Sequence, residues 1–357
     1  MFNFLNIQNI DIVFYPSLNI LLNTPENFLI VFILIYLLFV ILGKVANNEN
    51  FTYFSKIQNK ILFSKKKLIE RIVIITIFSI LFLFFSFILM FYQIYLNKVN
   101  LVLPYCFNLL LYSNKILFFK GLIFLNGFFC LFLSLDYIKK YYTNLLELTI
   151  LILIAILGSI IVVSSKNLLM FYLALELQAI SYYILAASLR TADKSIESGI
   201  KYFFFGSLGS SILLLGISLI YGFIGSLDFI VIKNYFFFSD LLSSSEISKM
   251  AILGFLLVIL GILFKLGAGP FHGWLPDIYE GAPIPIALFF TTNSKLTYIA
   301  FLLNFLELGF SIKTEIQYLL GFTIISSFLF GILNSTFELK IKRFLAFSSI
   351  TPIGFIL

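Results

Sequence analysis

The sequence predicts an all-α polytopic membrane protein with about ten transmembrane helices, the seventh of them broken. Hydrophobic residues make up 61% of the 357-residue chain and charged residues only 11%, whereas soluble domains average about 25% charged residues. Apolar runs recur along the whole chain, and the roughly 30 Å hydrocarbon core of a bilayer takes about 20 helical residues to cross. These features exclude a disordered chain, a secreted disulfide scaffold and an ordinary soluble enzyme.

Ten apolar segments account for most of the chain, and strand-like alternation does not compete with them. Each is predicted as a membrane helix within a single transmembrane domain that covers 1–357. The first three, with a basic loop at 44–71, lie within 1–146, and seven follow. In chain order the predicted helices are 28–43, 72–96, 116–135, 147–163, 168–189, 199–223, 249–266, 284–306, 315–337 and 344–357.

The basic residues predict which loops face the inner side of the membrane. With the N-terminus outside, the inner loops carry 15 Lys and Arg residues, against 6 in the outer loops and the N-terminus. This bias follows the positive-inside rule, and the loop 44–71 alone contributes 7 of the 15. We interpret its run Lys65, Lys66 and Lys67 as a topology signal that contacts lipid headgroups, not as a binding site.

Composition also indicates where the chain is made. The sequence contains 46 Phe and 19 Tyr residues and is rich in Ile, Leu, Asn and Lys. These residues have AT-rich codons, which is typical of a gene in an AT-biased genome such as an organelle's. Residues 1–26 contain no Lys or Arg, so they resemble neither a secretory signal nor an arginine-rich transit peptide. A chain synthesised inside the organelle would need neither.

Three ionisable residues lie inside predicted helices, where charge is costly. Glu176 is the ninth residue of segment 168–189, Lys265 closes an apolar run, and Lys295 lies in the middle of 284–306. A charge at a helix centre costs about 2.5–3.5 kcal/mol on insertion scales, so such residues normally face a protein interior or a hydrated path. A buried ion pair that only fixes helix packing is the alternative, and three such charges favour a function.

The seventh helix is predicted to break one turn after Lys265. Pro270 lacks the amide that would bond the carbonyl of Leu266, and Gly267 and Gly269 allow the backbone to leave the helix. Freed carbonyl groups would then lie beside a lysine, as in the discontinuous helices that form ion sites in transporters. The alternative is a helix that simply ends here and is followed by a loop.

Such a lysine and a carboxylate are suited to moving protons. Desolvation favours the neutral amine, whereas a nearby carboxylate favours the ammonium ion, so the approach or withdrawal of the carboxylate would switch the proton. Tyr172 and Tyr183 share the helical face of Glu176, where they either relay protons or only pack. His272 is open to two interpretations, a member of the relay or a hydrogen-bonded core residue.

The sequence shows no redox centre and no metal site. It has one His and two Cys residues, Cys106 and Cys130, and lacks a glycine-rich dinucleotide loop and a cysteine cluster. We therefore expect no cofactor in this chain, and any electron transfer would take place in another chain.

The stretch 264–285, FKLGAGPFHGWLPDIYEGAPIP, resembles the antiporter-like, proton-translocating membrane subunits of respiratory complex I. Its part DIYEGAP is more similar to the chain 2 family of NADH:ubiquinone oxidoreductase than to chains 4 or 5. The stretches 167–190, 195–222 and 339–350 agree with this resemblance.

The resemblance implies a fold with two inverted five-helix repeats, of which 147–306 would be the first and 307–357 the start of an incomplete second. It also implies a proton channel through Glu176, Lys265 and Lys295. Glu176 and Lys265 would form a modulating pair, Lys295 would be the next step, and His272 would be a further relay candidate.

The resemblance further implies a setting for the chain. It would lie in the mitochondrial inner membrane, with its N-terminus on the intermembrane-space side and loop 44–71 on the matrix side. Its partners would be other membrane-arm subunits of complex I and lipids, not nucleic acid. Flavin, iron–sulfur clusters and quinone would be bound by other subunits.

Two features depart from the family pattern. The family usually reads Ser-Ser-Ile-x-His near its tenth helix, whereas this chain reads Ser-Ser-Ile-Thr-Pro over 348–352, so any role of that histidine is absent or displaced. The sequence also ends at Leu357, inside the predicted tenth helix. We expect a separately encoded C-terminal fragment of the same subunit, with its own broken helix, to complete it. An incomplete sequence is the alternative.

Two other functions compete with a subunit of complex I. The first is a subunit of a sodium/proton antiporter, because such subunits share the lysine and the Pro-Phe-His-x-Trp core. The second is a passive assembly scaffold, against which the retention of Glu176, Lys265 and Lys295 speaks.

Overall fold

The computed structural model describes residues 26–38, 58–96, 110–111, 113–141, 145–189, 192–239, 246–307 and 313–357. Cys106 and most of loop 44–71 lie outside this part, as do the side chains of Lys65, Lys66 and Lys67. The chain divides into two compact units, Met1–Lys67 and Leu68–Leu357. Every site residue predicted from the sequence belongs to the second unit.

The described elements are helices, which confirms the predicted all-α polytopic class. Eight of them are long and apolar enough to cross a membrane, and α1 is a shorter apolar helix. In chain order the helices are α1 (Glu26–Leu38), α2 (Gln58–Leu96), α3 (Asn114–Tyr141), α4 (Leu145–Ser164), α5 (Leu168–Ala186), α6 (Asp193–Ile224), α7 (Phe229–Ser239), α8 (Glu246–Leu266), α9 (Leu275–Gly281), α10 (Ile284–Leu306), α11 (Lys313–Phe337), α12 (Ile341–Ser348) and α13 (Thr351–Ile356).

Two predicted elements were wrong. The outer loop expected after the sixth segment contains α7, an 11-residue helix whose Ile232 and Phe236, four residues apart, are buried in the core. The tenth segment, 344–357, is not one helix but two, α12 and α13. Pro352 has no amide to bond the carbonyl of Ser348, and the Thr351 hydroxyl donates to that carbonyl instead at 3.0 Å.

Glycines allow α6 and α8 to pack backbone against backbone. A Cβ at Gly216 would lie 2.8 Å from the Gly254 carbonyl oxygen and 2.8 Å from the Val258 nitrogen. Small residues at such crossings are what membrane helices use to approach closely. The two helices are also close near the end of α8, where a Cβ at Gly209 would lie 3.0 Å from Phe264 Cδ1 and 3.3 Å from Lys265 Cγ.

Stacked aromatic rings hold α10 against α5 and α8. Phe171 of α5 stacks on Phe301 of α10, and Phe255 of α8 stacks on Phe305 of α10, with ring centroids 4.4 Å apart in the second pair. All four side chains are buried. The three helices that carry Glu176, Lys265 and Lys295 thus share one apolar core.

Candidate functional site

Glu176 and Lys265 form an ion pair inside the helix bundle. Glu176 projects from α5 and Lys265 from the last turn of α8, and Lys265 Nζ lies 3.3 Å from Glu176 Oε1. The lysine side chain is 6% exposed and the carboxylate side chain 28%. The contact predicted from the sequence is therefore present, and it joins two residues 89 positions apart.

The helix ends just after Lys265, as the glycines and the proline predict. Gly267 adopts φ 69°, a left-handed conformation that favours glycine. Its N–H donates to the Phe264 carbonyl at 3.0 Å, and the Ala268 N–H donates to the Leu263 carbonyl at 3.1 Å. These are the two bonds of a Schellman motif. Lys265 belongs to the last turn of this helix, where the helix dipole favours a positive charge.

The segment after the break lies directly against α11. A Cβ at Gly269 would stand 2.5 Å from the Ser327 nitrogen and 2.6 Å from the Ser326 carbonyl carbon, so only glycine fits there. The chain then turns through Pro270 and His272 and enters the short helix α9. Helix α8 thus ends at Leu266, where the sequence predicts an interruption, and the next helix, α9, begins at Leu275. That this is a break within a transmembrane helix, and not its end, stays a prediction.

Aromatic side chains enclose the lysine. A cavity of about 10 Å³ beside Lys265 is lined by residues that include Tyr183, Tyr202, Tyr298 and Trp274, and it has the size of about one water molecule. Trp274 Nε1 is buried and has no hydrogen-bond partner among the described residues. Tyr183 therefore does lie beside the ion pair, as its helical position predicts, and whether it relays protons stays a prediction.

Lys295 belongs to a different environment from Lys265. It follows a π-helical segment of α10, Phe290–Ser294, a distortion frequently found at functional sites. Its Nζ donates to the backbone carbonyl of Ser349 at 2.6 Å. Ser349 is the residue at which α12 ends. The lysine therefore caps the interruption between α12 and α13, which the sequence did not predict, and its relay role stays a prediction.

A buried polar cluster between α5 and α10 was missed by the sequence reasoning. Gln178 Nε2 donates to the Tyr182 hydroxyl at 2.9 Å and to the Thr297 hydroxyl at 3.2 Å, and Asn293 Nδ2 donates to Tyr182 at 2.8 Å. The oxygens Gln178 Oε1 and Asn293 Oδ1 lack a partner within the described part of the chain. The sequence does carry a signal for this cluster: Gln178 with Tyr182, and Asn293 with Thr297, are polar residues four positions apart on apolar helices.

His272 packs between aromatic rings. Its ring centroid lies 4.7 Å from that of Phe330 and 6.2 Å from that of Phe347. Burial lowers the pKa of His272. Its Nδ1 is without a hydrogen-bond partner among the residues that the structure describes. A role for His272 in a relay stays a prediction.

Acidic residues of α9 and basic residues of α6 and α12 form a charged network that the sequence reasoning also missed. Glu280 accepts from Lys194 at 2.8 Å and Lys340 at 2.9 Å, and it also accepts from Arg343. Hydrogen bonds from Lys194 and Lys340 lower the pKa of Glu280 to about 2. Asp277 pairs with Lys201 at 2.7 Å and with Arg343 at 3.1 Å.

Cys130 is buried, and its thiol lies 3.6 Å from the Pro285 carbonyl oxygen. Within the described residues no group of three or more His, Cys, Asp or Glu could hold a metal ion.

The part of the chain that carries these residues matches a known protein family. The family described as NADH:quinone oxidoreductase/Mrp antiporter, TM, matches residues 165–357, a range that contains Glu176, Lys265 and Lys295. The chain belongs to this family. The resemblance to the antiporter-like subunits of complex I, predicted from the sequence, is confirmed.

Relatives and a solved structure agree with the family. The chain is 39% identical over 246 residues to NADH-quinone oxidoreductase subunit N of Pelagibacter ubique, which covers 69% of this chain and 50% of that protein. It is 36% identical over 251 residues to NADH-ubiquinone oxidoreductase chain 2 of Marchantia polymorpha, covering 70% and 51%. A chain of respiratory complex I from Thermus thermophilus matches with a TM-score of 0.63 and 26% identity, over 80% of this chain and 58% of that one. The chain thus spans about half the length of the curated relatives it matches.

Proposed function

We propose that this chain is a core membrane subunit of respiratory complex I that takes part in proton translocation coupled to electron transfer from NADH to ubiquinone. The observation that carries the proposal is the ion pair between Glu176 and Lys265, 3.3 Å apart at a broken helix inside the bundle. The names of the relatives from Pelagibacter ubique and Marchantia polymorpha support the assignment to this complex.

The pair suits proton movement because neither charge is stable alone in the membrane. Breaking a buried pair leaves an uncompensated charge that costs several kcal/mol. When Glu176 moves away, Lys265 therefore releases its proton, and when Glu176 returns, the amine takes up another. Lys295 is the next station in this scheme, and Tyr183 borders the space beside Lys265.

The setting follows from the same proposal. The chain would lie in the mitochondrial inner membrane, with its N-terminus on the intermembrane-space side, and pack against other membrane-arm subunits and lipids. Flavin, iron–sulfur clusters and quinone would be held by other subunits, where the redox chemistry takes place. The AT-rich codon usage implied by 46 Phe and 19 Tyr residues supports an organellar gene.

A subunit of a sodium/proton antiporter is the second candidate, because the description of the matched family names both kinds of protein. A co-purification experiment separates the two. We expect the detergent-solubilised chain to bring flavin and iron–sulfur absorbance with it. Purification with membrane subunits alone, free of both chromophores, would favour the antiporter.

The test of proton translocation is Glu176→Gln in the assembled complex. We expect proton uptake into vesicles, measured per NADH oxidised, to fall well beyond any loss of assembled complex. The matched control is Glu307→Gln, whose exposed pair with Lys115 lies at the end of α10 and should leave uptake unchanged. Full proton uptake by an assembled Glu176→Gln complex would refute the proposal and favour a passive scaffold.

A further inference from the structure

A π-helical segment of α10 determines the direction in which Lys295 points. The segment is Phe290–Ser294, and Lys295 is the first residue of the α-helical part that follows. A π-helical hydrogen bond spans one residue more than an α-helical one, and each residue of an α-helix turns the chain by about 100°. The segment therefore rotates Lys295 by about that angle relative to an uninterrupted α-helix. The contact of its ammonium group with the Ser349 carbonyl, at 2.6 Å, depends on this rotation.

Buried polar side chains of α5 and α10 hold the π-helical segment. Asn293, within the segment, donates from Nδ2 to the Tyr182 hydroxyl of α5 at 2.8 Å. The Thr297 hydroxyl donates to the Asn293 carbonyl at 2.6 Å, a side-chain bond of the kind that often bends helices. Gln178 Nε2 donates to the hydroxyls of both Tyr182 and Thr297. Tyr182 thus bonds α5 directly to the segment that precedes Lys295.

Packing restrains the Tyr182 side chain. Tyr182 is fully buried, and its ring meets those of Phe289 and Phe290 with centroids 5.7 Å and 4.9 Å apart. Asn293 is also fully buried, and its Oδ1 has no hydrogen-bond partner in the described part of the chain. Without the Tyr182 hydroxyl its Nδ2 would lose its acceptor as well. Because a buried amide without partners is costly, the loss of this hydroxyl favours a rearrangement of the segment.

We propose that Tyr182 is a positioning residue, which holds the π-helical segment of α10 and thereby directs Lys295 toward Ser349. This inference rests on the proposed function, in which Lys295 is a station for protons. Tyr182 belongs to α5, the helix that also carries Glu176. A movement of α5 at Glu176 is therefore transmitted to the segment that precedes Lys295.

Tyr182→Phe removes the hydroxyl with little change in volume. In the assembled complex it should lower the rate of NADH-driven proton uptake about threefold to tenfold, the factor that corresponds to one lost hydrogen bond of ordinary strength. Asn293→Ala removes the partner within the segment and should lower the rate by a similar factor. The double variant should be no worse than Asn293→Ala alone, because residues that act through one another show non-additive effects. Tyr235→Phe, on a tyrosine of α7 packed against the apolar core, is the matched control and should leave the rate unchanged.

The structure of the assembled Tyr182→Phe complex, determined by electron cryo-microscopy, tests the positioning role directly. We expect the π-helical segment to shift and Lys295 Nζ to lie beyond hydrogen-bonding distance of the Ser349 carbonyl. An unchanged segment with an unchanged contact would overturn the proposal, even if proton uptake falls. Additive losses in the double variant, or full proton uptake by Tyr182→Phe, would also overturn it.

Two further variants separate a failure of this inference from a failure of the proposed function. If Lys295→Met and Glu176→Gln abolish proton uptake while Tyr182→Phe leaves the uptake and the contact of Lys295 intact, only the positioning role fails. If Lys295→Met and Glu176→Gln leave proton uptake intact, the proposed function fails. The structure of the Tyr182→Phe complex then still decides whether Tyr182 positions Lys295.

Discussion

The two helix interruptions differ in how they are built. At the first, a left-handed Gly267 ends α8, and the lysine comes from the broken helix itself and faces a carboxylate. At the second, the chain bends at Ser349 without a glycine, and the lysine comes from another helix and faces a neutral carbonyl. Both interruptions have a local cause, Gly267 at the first and Pro352 at the second, but only at the first does the lysine face a counter-charge.

The two lysines are therefore expected to differ in how much they contribute to the stability of the fold. Removing either member of the first pair leaves a charge in a poorly solvated place, which is strongly destabilising. Removal of Lys295 leaves only a carbonyl without its donor, a smaller penalty. The stability of the fold therefore depends more on the pair of Glu176 and Lys265 than on the contact of Lys295, although both lysines belong to the proposed proton path.

The strongest test of this difference in stability compares the variant Lys265→Met with the variant Lys295→Met. We expect Lys265→Met to destabilise the chain by about 3 kcal/mol, the lower end for a broken buried pair, because the Glu176 side chain is 28% exposed. Lys295→Met should cost less, about 1 kcal/mol, because it leaves without a donor only the carbonyl of Ser349, which is partly buried. The amount of assembled complex and its thermal midpoint measure both effects.

The double variant Lys265→Met with Glu176→Gln is the control for this prediction. Because it removes both charges, it should recover much of the assembly that Lys265→Met loses, without recovering proton uptake. Equal losses in the two single variants, or no recovery in the double variant, would contradict the assigned difference between the interruptions.

Glycine substitutions at the first interruption are expected to have the next largest effect. Gly269→Ala places a Cβ 2.5 Å from the backbone nitrogen of Ser327, which cannot move aside, and overpacking of this kind costs about 1–3 kcal/mol. Gly267→Ala forces a side chain into φ 69°, which costs about 1–2 kcal/mol. Thermal midpoints of the purified complex measure both.

Gly273→Ala provides a matched control in the same segment, because a Cβ there meets nothing within 4 Å. It should change stability by less than about 0.5 kcal/mol. If all three alanine variants behave alike, the first interruption does not depend on these glycines, and its contrast with Ser349 disappears.

The sequence predicted the parts of this structure that local chemistry determines. Among the ten predicted segments are the eight described helices that are long and apolar enough to cross a membrane, and the glycines and proline after Lys265 marked the end of α8. The cost of isolated charges led to Glu176 and Lys265 as partners, although resemblance was needed to join two residues 89 positions apart. The end of a helix can be predicted from the sequence where the residues that end it, here two glycines and a proline, follow it directly in the chain.

Other features could not be predicted because they arise from packing between distant segments. The contact of Lys295 with Ser349 spans 54 positions, so no local pattern indicates it, although Pro352 beside the second interruption is visible in the sequence. The cluster of Gln178 and Asn293 needs α5 and α10 in one register. Composition and periodicity carry no information on such registers.

The smallest expected effect concerns Glu280, through which α9 is tied to α12 and thus the first interruption to the second. Its pKa of about 2 in the folded chain lies below the value of about 4.3 for an unfolded glutamate. The stabilisation from its ion pairs is therefore fully present above about pH 4.3 and is lost as the pH falls toward about 2.

Glu280→Gln should lower the thermal midpoint by a constant amount above about pH 5, and this difference from the unmodified chain should shrink as the pH falls below about 4.3. Glu307→Gln serves as control, since an exposed pair contributes at most about 1 kcal/mol and should give a smaller difference above about pH 5. If the difference in thermal midpoint between Glu280→Gln and the unmodified chain grows on acidification, its pH dependence is the opposite of the expected one. The ion pairs of Glu280 would then not stabilise the contact between α9 and α12.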